Sequence, residues 1–67
     1  MINYIIKLLI RLNGKDITIS FDGKYISHIE YYKDSFKINF NDNSILHSDF
    51  LTESELVYLI IKLEKEI

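Results

Sequence analysis

The amino-acid sequence predicts an α+β fold, an antiparallel β-meander of four to five strands with one C-terminal α-helix packed on a face. Three observations carry this reading: the turn dipeptides Asn13-Gly14 and Asp22-Gly23, the strict alternation of "FKINF" from Phe36 to Phe40, and the helix-start signature Thr52…Glu55 ahead of an apolar run. A second layout within the same class competes over residues 2–12. It has an N-terminal helix, three to four strands and the C-terminal helix.

The N-terminal stretch "INYIIKLLIRL" supports both layouts. With Asn13-Gly14 as a type I′ turn, Ile10 faces Ile17, Leu8 faces Ile19 and Ile6 faces Phe21 on one side, while Arg11 faces Asp16 on the other. Four isoleucines also suit a strand. Against this, Asn3, Lys7 and Arg11 recur at helical spacing, and Gly14 could serve as a C-cap. The matched register and the β-branched content favour the strand.

Asp22-Gly23 marks the next hairpin turn and places Ile26 opposite Ile19. In "YISHIEYY", Ile26, His28 and Tyr32 fall on one face and Tyr25, Ile29 and Tyr31 on the other, so a bulge near Glu30 or burial on both faces is expected. "NDNS" at 41–44 reads as a turn, and a short last strand follows from Ile45 to about His47. Thr52 and Glu55 then form a capping box, with Leu51 and Leu56 in the positions of a hydrophobic staple. The expected sheet-facing stripe of the C-terminal helix is Leu56, Leu59, Ile60, Leu63 and Ile67.

Length and composition limit the function classes. A chain of 67 residues makes one small domain, which buries only about 60% of the surface its unfolded form exposes. Cysteine is absent, which excludes disulfides and thiolate metal sites, and His28 and His47 are too few for an all-imidazole zinc site. No cofactor is expected. The apolar N-terminus is interrupted by Lys7 and Arg11, is not followed by a small-residue cleavage site, and is shorter than the roughly 20 residues that span a bilayer. A cytoplasmic protein without membrane association is the expectation. Ala, Pro, Gln, Trp and Cys are missing while Ile, Lys, Asn and Tyr abound, a bias that points to a genome rich in A and T.

No catalytic constellation emerges. "HSD" at 47–49 has the residue types of a serine hydrolase, but neighbours on one strand point alternately away from one another, and a triad needs convergence. His47 and Asp49 could share a face as metal ligands, yet the spacing offers no third ligand. Both glycines are explained by turns, so there is no phosphate-cradling loop. The protein is read as a non-enzyme.

Two surfaces remain as candidates. Asp42, Asp49, Glu53 and Glu55 accumulate in an interval between Lys37 and Lys62 that holds no Lys or Arg. Carboxylates on a rigid scaffold can occupy the basic groove of a nucleic-acid enzyme in place of phosphates. The apolar candidates are Ile5 and Leu9 on the outer face of the first strand and Val57, Tyr58 and Ile61 outside the helix stripe, an interface for a homodimer or another protein. Tyr25, Tyr31, Tyr32, Phe36 and Phe40 raise direct single-stranded nucleic-acid binding as a weaker reading. Residues 1–37 carry six basic and four acidic groups, too slight an excess to surround a base-stacking face.

In size, acidity and mixed architecture the chain resembles the small acidic inhibitors of phages, such as anti-CRISPR proteins and uracil-DNA glycosylase inhibitors. The likeness is one of class and carries over no residue. The function expected is a non-enzymatic protein-binding module, an inhibitor of a host or defence nucleic-acid enzyme. A self-assembling structural or regulatory homo-oligomer is the alternative.

Overall fold

Residues 1–13 and 15–67 are described by the structure, a computed structural model. It has the second of the two layouts. Helix α1 spans Ile2–Arg11, where the favoured reading placed the first strand. The proposed Asn13-Gly14 turn lies partly outside the described residues. What is described leads out of a helix, with Leu12 N–H donating to Leu8 O (3.0 Å) and Asn13 N–H to Ile10 O (3.2 Å).

Burial decides this conformation. In a strand Ile5 and Leu9 would point away from Ile6, Leu8 and Ile10. In the helix Ile5, Ile6, Leu8 and Leu9 are all buried, as is Leu12 at its C-cap, and Asn3, Lys7 and Arg11 stay exposed. Each aliphatic side chain removed from water contributes about 1.5–3 kcal/mol. The helix propensity deficit of an isoleucine is below about 0.7 kcal/mol. Packing therefore outweighs the β-branched preference.

Four strands follow in a simple antiparallel meander, β1 (Ser20–Phe21), β2 (Lys24–Tyr31), β3 (Phe36–Phe40) and β4 (Ile45–His47), with spatial order equal to chain order. Asp22 and Gly23 connect β1 to β2 with φ of 54° and 74°, the two positive values a type I′ turn requires. Ile26 N–H donates to Ile19 O (3.2 Å), which is the expected opposition of these residues. On β3, Phe36, Ile38 and Phe40 are buried while Lys37 and Asn39 alternate onto the other face.

The bulge in β2 falls between Ile26 and His28 rather than near Glu30. Ile26 pairs with Phe40 and Ile29 with Ile38, so both must face the core. Residues three apart cannot share a face of a regular strand, and one extra residue between them restores the phase.

A single 3-10 turn (Ser48–Phe50) leads from β4 to α2 (Glu53–Glu66). Ser48, buried, accepts Phe36 N–H on its Oγ (3.1 Å) and satisfies the first amide of β3. Leu59 and Leu63 of α2 are fully buried, and Leu51, Leu56 and Ile60 pack against the same core. Ile67, expected on this stripe, is exposed; it follows the last helical residue. Both helices contribute to the core on the Phe36–Ile38–Phe40 side of the sheet. By register the opposite face carries His28, Glu30, Lys37, Asn39 and Ile45.

Candidate functional site

Helix α2 is fixed at its start by a complete capping box. Glu55 N–H donates to Thr52 Oγ1 (3.2 Å) and Thr52 N–H donates to Glu55 Oε1 (2.8 Å). With Leu59 and Leu63 turned inward, helical periodicity turns Val57 and Ile61 outward, four residues apart on one stripe. They are 41% and 49% exposed. Tyr58, 39% exposed, flanks them but is anchored: its ring lies 5.9 Å from that of Phe21 and its hydroxyl donates to Ser20 O (3.2 Å). Lys62 Nζ sits 5.3 Å from the same ring.

Ile5 and Leu9, expected on the same kind of apolar surface, are 0% and 4% exposed and belong to the core. Their expected exposure followed from the strand conformation of residues 2–12, and the helix removes it.

The acidic residues do not form one patch of free charge. Asp42, in the β3–β4 turn, accepts the Ser44 N–H (2.9 Å) and hydroxyl and lies 3.4 Å from Lys24 Nζ. The Ser44 hydrogen bonds, joined by the Lys24 charge, hold its carboxyl below the usual aspartate range. Glu55 is engaged in the cap. Asp49 is exposed, and its N–H donates to His47 Nδ1 (3.1 Å). Within "HSD", His47 thus caps the 3-10 turn that Ser48 and Asp49 begin, with Ser48 turned into the core. Glu53 is exposed on the first turn of α2. Asp22, absent from the sequence-based candidates, joins Glu55 in a cleft of about 310 Å³ that is also lined by Phe21, Ser54 and Tyr58. The meeting of a β-turn with a helix start is a tertiary contact with no local sequence signal.

The aromatic residues divide between the two sides of the sheet. Phe36 and Phe40 are buried in the core, whereas Tyr25 projects from the other face and Tyr32 lies beside Lys37, whose Nζ is 5.7 Å from its ring. They do not form one stacking platform. Among the described residues no three His, Cys, Asp or Glu side chains come together as metal ligands. None of the described helices is long and apolar enough to cross a membrane.

Comparison with protein-family models, with curated proteins and with solved structures gives no match to this chain.

Proposed function

We propose that this chain is a non-enzymatic protein-binding module that engages its partner through the outer face of α2. The observation that carries the reading is the pair Val57 and Ile61, two aliphatic side chains one helical turn apart on a capped helix whose opposite stripe is already filled by the core. Adjacent exposed apolar groups of this kind fit the groove of another protein, where a helix presents anchors at i and i+4. Asp22, Glu53 and Glu55 lie toward the N-terminal end of the same helix, so the complementary groove has a basic rim. Nucleic-acid enzymes present such grooves, and inhibition of one of them is the activity we favour.

The test compares capture of a partner from the cell of origin by the wild-type chain, by Val57→Lys with Ile61→Lys, and by Asp22→Asn with Glu53→Gln and Glu55→Gln. Gln at 55 retains the capping oxygen. The apolar replacements should abolish capture, and the acidic ones should weaken it and flatten its salt dependence. Equal capture by all three would refute the reading.

A further inference from the structure

We propose that the open edge of β2 pairs with the same edge of a second copy of this chain, joining two sheets across a two-fold axis at Ile29. This surface is separate from the outer face of α2 and does not depend on it.

Strand β2 has eight residues, but β1 pairs only with Lys24 and Tyr25, and the last bond on that side is Ile26 N–H to Ile19 O. Among the described residues no strand lies beside Ser27–Tyr31 on this edge. The chain at Lys15–Ile17 diverges instead and leaves a cleft of about 280 Å³, lined by Leu9, Leu12, Ile17, Ser27, Ile29 and Tyr31 among others. An uncovered strand edge is a template for another strand, and folded proteins normally block or pair it.

The direction of the backbone groups sets the register. Tyr32 N–H donates to Ser35 O across the β2–β3 connection, so residue 32 faces β3. By alternation Glu30 and His28 also face β3, and Ile29 and Tyr31 turn their amides and carbonyls to the open side. An antiparallel two-fold pairing must be centred on one of these outward residues. Centring on Tyr31 would pair β2 with residues beyond its own end. Centring on Ile29 keeps the paired residues His28–Glu30 of both copies within the regular part of the strand, beyond the bulge.

That register is complementary on the solvent face. His28 stands opposite Glu30 of the second copy, twice by symmetry, and both side chains lie on the solvent face of the sheet. On the other face Ile29 meets Ile29 of the second copy, next to the cleft lined by Leu9, Leu12 and Ile17. Neither His28 nor Glu30 is buried in the single chain, so either can be changed without opening the core.

Native mass spectrometry and sedimentation of the full chain over a micromolar concentration series test the proposal, with circular dichroism as the check on folding. The wild-type chain should dimerise. His28→Glu, which sets like charges opposite one another twice, should raise the dimer dissociation constant by about tenfold or more. Adding Glu30→Lys to that variant should restore the dimer. A wild-type monomer at every concentration would overturn the proposal, as would a dimer indifferent to His28→Glu or one that the second substitution fails to restore. A dimer lost on Ile61→Lys but not on His28→Glu would place the contact on α2 and equally refute the β2 edge.

Discussion

Tyr4 and Glu64 stand sixty positions apart and are joined by a hydrogen bond, the phenol donating to Oε2 of the carboxylate. The bond fastens the first turn of α1 to the last turns of α2. Glu66 adds a second tie by accepting both the N–H (3.0 Å) and the hydroxyl (2.9 Å) of Thr18. Carboxylates are disfavoured at the negative end of a helix. Here each has donors from another part of the chain, which gives the pair a structural reason to be there.

The Tyr4–Glu64 bond makes a pH prediction. The phenol is pushed above its ordinary value of 10.0, first by donating to Glu64. A group held protonated by the fold contributes stability that is complete below the unfolded pKa and is lost as pH rises through the folded one. The unfolding midpoint of the wild-type chain should fall toward that of Tyr4→Phe as pH is raised from 9 through the tyrosine range, and the two should stay parallel from pH 7 to 9. A constant difference between them at all pH values would show that the bond does not form.

Residues 2–11 supply a discriminating pair of substitutions. Ile5→Lys places an ammonium among fully buried side chains and should unfold the protein, whereas Ile61→Lys lies on an exposed stripe and should change stability by no more than about 0.5 kcal/mol. Thermal unfolding measures both. A tolerated Ile5→Lys would restore the strand arrangement of the N-terminus.

The capping box predicts that Thr52→Ala destabilises the fold by about 0.5–2 kcal/mol, because the N–H of Glu55 loses its acceptor. Denaturant titration of the two chains reads the difference. An unchanged midpoint would mean that water replaces the threonine at no cost.

At the β1–β2 turn, Gly23 has φ of +74° and a Cβ added there would touch nothing within 4 Å. The cost of Gly23→Val is therefore backbone strain alone, about 1–3 kcal/mol. Gly23→Asn, which tolerates the left-handed region, should recover most of the loss. Equal destabilisation by the two would rule out strain as the cause.

Much of the second half of the fold was legible because its signals are local. Asp22-Gly23 needs only two residues to specify its turn, Phe36–Phe40 its own alternation, and Thr52 with Glu55 its own hydrogen bonds. Residues 2–11 were not decided locally: the same isoleucines and leucines satisfy a period of two against Ile17–Phe21 and a period of 3.6 against the sheet. The tie is broken by the number of side chains the whole molecule can cover. The misplacement of Ile5 and Leu9 followed directly, while Val57 and Ile61 were placed outside the core because Leu56, Leu59, Ile60 and Leu63 recur at helical spacing on another face of α2. The shortness of β1, and with it the open edge at Ser27–Tyr31, depends on α1 taking the residues that would otherwise have formed a longer strand.

The outer face of α2 as the partner-binding surface is the central claim, and site-specific photo-crosslinking in the cell of origin tests it most directly. A photoreactive residue at Ile61 should yield one discrete adduct with another protein, which Val57→Lys removes, while the same residue at Lys15 yields no adduct with that protein. Adducts that form equally from both positions, or that persist with Val57→Lys, would contradict the assignment.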